Sequence, residues 1–189
     1  MQFMRIQPRR EFLGTSLALL WADRALAADD SPRIPLGFSL YNMKSLSLAD
    51  GIAACAKIGY DCTELPLMAD WPGDSAKLAG EQIKAIRETL ATNKIALAAL
   101  MENLPLLDDA KQQNNLARVR RAGELAHELA PDAPPVIETV LGGSPTKWED
   151  VKQTMVKRLR EWAKVAEATR SVIAIKGHVN NAAHLPEHV

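Results

Sequence analysis

Apolar and polar positions alternate between two rhythms along this chain. Short, nearly continuous apolar runs are followed by stretches where apolar residues recur every three or four positions. The first rhythm predicts buried strands and the second amphipathic helices. Leu36–Tyr41 is the first predicted strand. Behind it, Ser47 caps a helix whose first turn holds Asp50 and whose buried face is Leu48, Ile52 and Cys55. Gly59 stops that helix, and residues 60–67 form the second strand. A second helix is predicted over residues 75–92, with the stripe Ala79, Ile83, Ile86 and Leu90 and a stop at Asn93.

Residues 94–101 read as a third strand, apolar enough to be buried on both faces of a parallel sheet. Asp108 and Asp109 open a third helix that runs to about Leu129, where Pro131, Pro134 and Pro135 close it. Residues 136–141 are the fourth strand. Thr146 and Glu149 form a capping box for a fourth helix striped by Trp148, Val151, Met155, Leu159, Trp162 and Val165. Aromatic residues at that spacing are read as core. Residues 172–175 are the fifth strand, and Pro186 with Glu187 reads as the first turn of another helix.

Strands alternating with helices imply right-handed crossovers and a parallel α/β sheet. The fold expected is a partial (β/α) barrel, about five of the eight units such a barrel holds, with a small doubly wound α/β domain as the alternative. A chain that is cut short is expected on this reading. Open sheet edges then predict self-association.

The first residues carry different information. Arg9-Arg10-Glu11-Phe12-Leu13, an apolar run to Ala22 and the small residues Ala25-Leu26-Ala27 read as a twin-arginine export signal over residues 1–27. Residues 28–34 are the linker and 35–189 the folded domain. The apolar run is shorter than the roughly 20 residues that span a bilayer, so no stable membrane anchor is expected. The expected location is periplasmic or extracellular. A formal net charge of zero gives no pull towards nucleic acid. Cys55 and Cys62 are expected as unpaired, buried thiols rather than a disulfide.

Three stretches resemble the xylose isomerase-like barrel family, which includes sugar isomerases and epimerases. They are Ile58-Gly59-Tyr60-Asp61-Cys62-Thr63-Glu64-Leu65, Leu36-Gly37-Phe38-Ser39-Leu40-Tyr41 and Ile173-Ala174-Ile175-Lys176-Gly177-His178-Val179-Asn180-Asn181. The resemblance implies a site at the C-terminal ends of the strands. There a divalent metal (Mg, Mn or Zn) and carboxylates move a proton between neighbouring carbons of a sugar. It also implies that Lys176 stands where the family places a metal-binding glutamate, and a protonated amine cannot bind a metal. A metal is therefore expected for the family but not at this position. His178 matches the histidine of a Glu-x-His strand end.

By strand placement, the site residues expected are Glu64, Glu138 and Lys176 for the chemistry, and Asn42, Glu102 and His178 for holding substrate. A Lys176–glutamate ion pair is expected to stand in for the metal. The functional expectation is an exported sugar isomerase- or epimerase-like protein, with little activity in this chain as it stands. The alternative is a non-catalytic carbohydrate-binding protein on the same fold. A nuclease-like relative ranks last, given the neutral charge. His178, His184 and His188 are read as adventitious neighbours, and Gly142-Gly143-Ser144 as a plain turn.

Overall fold

The structure is a computed structural model and describes residues 33–189. The twin-arginine stretch and most of the linker expected over 28–34 lie outside the described residues. Pro35–Val189 form one compact unit. Its strands are β1 (Gly37–Ser39), β2 (Cys62–Pro66), β3 (Ala96–Asn103), β4 (Val136–Val140) and β5 (Ile173–Ile175). The helices between them are α1 (Leu48–Ile58), α2 (Gly80–Asn93), α3 (Gln112–Leu129) and α4 (Trp148–Ala168).

All four strand pairings are parallel, and the order in the sheet is β1-β2-β3-β4-β5. This order rules out the doubly wound alternative, because such a sheet reverses its strand order at a switch point. A sequential parallel sheet with a helix after each strand is the arrangement of a barrel wall. At the two edges, β1 pairs only with β2 and β5 only with β4.

Local chemistry explains most boundaries. The Ser47 hydroxyl accepts from the Asp50 backbone N–H at 3.1 Å, which caps α1. Gly59 ends α1 in a left-handed conformation (φ 102°), returning its N–H to the carbonyls of Cys55 and Ala56. Lys94 plays the same part after α2 at φ 54°, a conformation with a steric cost in a side-chain-bearing residue.

Five expectations need correction. β1 stops at Ser39, because its hydroxyl accepts from the Tyr41 N–H and caps a 3-10 turn over Leu40–Met43. The second helix starts at Gly80 rather than Ser75, and Ala79 is exposed. Residues 74–78 instead form a turn that folds Asp74, Ser75 and Leu78 into the interior. β3 is not buried on both faces, since Ala96 and Ala98 are exposed on the face that the sheet leaves uncovered. The capping box at Thr146 does not form. Pro145–Lys147 make a 3-10 turn, α4 begins at Trp148 with no side-chain cap, and Glu149 pairs with Lys152. Cys55 and Cys62 are free as expected, but Cys62 is only half-buried.

Two apolar clusters hold the helices to one face of the sheet. One joins α1, α2 and α3 to β2 and β3 through Ile52, Cys55, Leu65, Ile83, Ile86, Leu100 and Leu125. The other joins α3 and α4 to the last strands through Val119, Met155 and Trp162. The stripe predicted for the fourth helix is therefore core, with Met155 and Trp162 each 1% exposed.

Candidate functional site

Strand pleat decides which side chains can meet. In β2, Thr63 and Leu65 point into the helix layer and are fully buried, so Glu64 between them faces the open side of the sheet. In β4, Ile137 and Thr139 are fully buried and Glu138 faces the open side. Register places Ser39 of β1 opposite Glu64, and Lys176 follows β5 with its N–H donating to the Thr139 carbonyl.

These positions form one connected row. The Ser39 hydroxyl donates to Glu64 Oε1 at 2.5 Å, the Glu64 carboxyl neighbours that of Glu138, and Lys176 Nζ lies 3.0 Å from Glu138 Oε1. Burial pushes the Glu64 carboxyl up to about 7, the neighbouring Glu138 adds to the rise, and Ser39 and Lys176 oppose it. Two acids in contact cannot both ionise without mutual repulsion, so the pair holds a proton near neutral pH.

Above this row opens a cavity of about 340 Å³ at the C-terminal ends of the strands, lined by Ser39, Tyr41, Asn42, Asn103, Lys176 and His178 among others. Glu64 and Glu138 are half-buried beside it, next to its lining residues Ser39 and Lys176. Beside it the Tyr41 ring stacks on Trp71 (5.6 Å, 20° between planes), Trp71 Nε1 donates to the Tyr41 carbonyl, and Lys44 Nζ sits 4.0 Å over the indole.

The structure thus brings Glu64, Glu138, Lys176, Asn42 and His178 to one mouth. Glu102 is the exception. Arg118 of α3 grips its carboxylate through Nε at 3.1 Å and Nη2 at 2.9 Å, and the Ser75 hydroxyl donates to it at 3.0 Å. Arg118 also binds the Leu67 carbonyl and Asp74. Glu102 is 1% exposed on the helix side of β3, so it pins α3 to the sheet and does not reach the cavity. Met101 and Asn103, its neighbours on either side, are the β3 residues that do.

Sequence reasoning missed Ser39, Tyr41, Trp71 and Asn103. Ser39 carried a usable signal, since it occupies in β1 the rank that Glu64 occupies in β2.

A family model described as xylose isomerase-like TIM barrel matches residues 52–185. The chain belongs to that family. No curated protein matches the sequence. Among solved structures, the IolI protein with a bound zinc atom is similar at 21% identity and TM-score 0.64, over 82% of this chain and 56% of that one. A probable 3-DHS dehydratase, AsbF, from Bacillus anthracis is similar at 13% identity and TM-score 0.65, over 78% and 54%. A xylose isomerase-like TIM barrel protein from Mycobacterium smegmatis, in complex with magnesium, is similar at 14% identity and TM-score 0.59, over 82% and 58%. This chain spans little more than half the length of each. At these identities the likeness establishes the fold, here five parallel strands and the four helices between them, part of a xylose isomerase-like barrel.

Two of those relatives were solved with a divalent ion, which raises the question of whether the mouth of this chain fits one. Its donor set does not fit. Among the described residues, no three His, Cys, Asp or Glu side chains gather to hold a metal. Of the two carboxylates that do meet, Glu138 is paired with the Lys176 amine, which is a donor and not a metal ligand while protonated.

Proposed function

We propose that this mouth binds a small sugar and that Glu64 moves a proton on it, the chemistry of an isomerase or epimerase. The single observation behind this reading is the Glu64 carboxyl, raised to about 7 and bonded to Ser39, which lines the neighbouring cavity. An acid with that affinity is partly ionised at neutral pH and can both accept and return a proton. In the step proposed, ionised Glu64 takes the proton from the carbon next to a sugar carbonyl. The C–H electron pair becomes a carbon–carbon double bond, and the carbonyl oxygen takes the negative charge. Return of the proton to the former carbonyl carbon, as the hydroxyl proton on the neighbouring carbon passes to the old carbonyl oxygen, gives the isomer; a proton delivered by solvent to the other face of the first carbon gives the epimer. Asn42, Asn103 and His178 offer hydrogen bonds to hydroxyl groups, and the Tyr41 ring offers an apolar face.

The test is solvent exchange. Aldoses and ketoses incubated with the protein in heavy water should gain deuterium at the carbon beside the carbonyl, slowly in this chain, and Glu64→Gln should abolish the gain. Exchange unchanged in Glu64→Gln would sink the assignment.

One observation favours a second reading, a carbohydrate-binding protein without turnover: Glu138 is already engaged by Lys176. Saturable sugar binding with no deuterium gain would select it. Export by the twin-arginine route is proposed from residues 9–27, and cell fractionation with Arg9→Lys and Arg10→Lys checks it. Self-association through the edges of β1 and β5 is also proposed, and sedimentation checks it. No described helix is long and apolar enough to cross a membrane.

A further inference from the structure

We infer that Lys176 is the resident cation of this mouth, so the site binds its ligand without a divalent metal. The inference rests on the reading of the mouth as the working site. Three facts carry it. Lys176 Nζ lies 3.0 Å from Glu138 Oε1, and Glu138 in turn meets Glu64. Glu138 is largely buried, with its side chain 18% exposed, so a positive charge beside it compensates the loss of water. Lys176 is 48% exposed and lines the cavity, so its amine faces both the carboxylates and the ligand space.

An ammonium has three N–H donors. The ion pair with Glu138 Oε1 at 3.0 Å leaves donors free for an oxygen of the ligand. A divalent ion in the same place would have to displace the amine and, among the described residues, would then meet two carboxylates, fewer ligands than the six to eight oxygens that a hard cation such as Ca²⁺ prefers. The ligand class that follows is a neutral or singly anionic hydroxy-carbonyl compound that accepts hydrogen bonds from Lys176. A doubly charged phosphate ester fits poorly beside Glu64 and Glu138.

The experiment titrates Mn²⁺ into the whole protein and reads free Mn²⁺ by electron paramagnetic resonance. It compares wild type, Lys176→Met and Lys176→Glu, with circular dichroism to verify folding. Lys176 is exposed, so neither change disturbs the core. Wild type should show no saturable site at millimolar Mn²⁺. Lys176→Glu adds a third carboxylate and should bind Mn²⁺ about a hundredfold more tightly than wild type, because ligand charge and number set affinity for hard cations. Lys176→Met should fall between them. A wild-type site as tight as that of Lys176→Glu would overturn the inference, and so would a folded Lys176→Glu with no gain. A second arm measures sugar binding with and without chelator. Equal affinity supports the inference, and loss in chelator overturns it. Absence of sugar binding in both conditions overturns the proposed function instead, and the Mn²⁺ comparison still decides the role of Lys176.

Discussion

Two acids in this protein are held to the same proton affinity by opposite surroundings. Glu64 faces the open side of the sheet, where burial and the neighbouring Glu138 raise it to about 7. Glu102 faces the helices, where burial raises it to about 7 against the pull of Arg118 and Ser75. Glu64 has one hydroxyl and another acid for company, beside a cavity. Glu102 has a guanidinium in two-pronged contact and no route to solvent. The comparison teaches that a perturbed acid marks a candidate site only when something can reach it. Glu64 qualifies, and Glu102 is a fastener between β3, the turn at residues 74–78 and α3.

The largest effect should come from breaking that fastener. Arg118→Leu leaves Glu102 buried without its cation, a change that typically costs about 3–5 kcal/mol. Urea unfolding should show the loss directly. Removing both charges in Arg118→Leu/Glu102→Leu should recover most of it, because no charge is then stranded. The matching cut in the mouth is milder. Lys176→Met removes a cation that is itself half exposed, from beside a carboxyl that can keep a proton shared with Glu64, so the loss should be the smaller of the two. Equal losses in the two variants would erase the distinction drawn here.

The strand–helix rhythm could be read from the sequence because burial writes period two and period 3.6 directly into residue order. Gly59 and Ser47 were legible for the same reason, since each acts on atoms within four residues of itself. Glu102 was misplaced because of one extra residue. Ile95 and Leu97 are buried on the helix side, and strict alternation from them would send Glu102 to the open face. The register between β2 and β3 shifts after Thr63, where Leu97 is followed by Ala99 as the next partner. This bulge reverses the alternation, so that Leu100 and Glu102 join the helix side. The helix predicted from residue 75 begins at Gly80, and Ser75 lies in the turn before it. Its hydroxyl serves Glu102, 27 residues away. Ser39 and Trp71 escaped notice likewise, through partners 25 and 30 residues distant.

Stability against pH sharpens the comparison at intermediate cost. An ordinary glutamate releases its proton near 4.5, whereas Glu64 and Glu102 hold theirs to about 7 in the folded chain. Between those values the folded state binds more protons than the unfolded one, so stability falls as pH rises. The stabilising contribution is complete below about 4.5 and is lost as pH passes through 7. Glu64→Gln carries no such proton and should flatten melting temperature against pH between 5 and 8. Its gain over wild type should grow towards the alkaline end. Glu102→Gln should instead melt lower than wild type at neutral and alkaline pH, because it deprives Arg118 of its carboxylate. Parallel curves for wild type and Glu64→Gln would show that Glu64 is not the titrating group.

The smallest effect tests a single hydrogen bond. The Ser39 hydroxyl donates to Glu64 Oε1, and a donor to a carboxylate favours its ionised form. Ser39 accordingly pulls the Glu64 carboxyl down while burial and Glu138 push it up. Ser39→Ala removes that pull and leaves the other two in place. The Glu64 midpoint, followed by the carbon-13 shift of its carboxyl, should therefore rise, by less than about one pH unit for one neutral donor. The Glu102 midpoint should stay where it is, since its own partners Ser75 and Arg118 remain. A fall in the Glu64 midpoint would mean that the serine accepts from a protonated Glu64 rather than donating to it. The proton shared in this row would then sit on the Ser39 side of the carboxyl, away from Glu138.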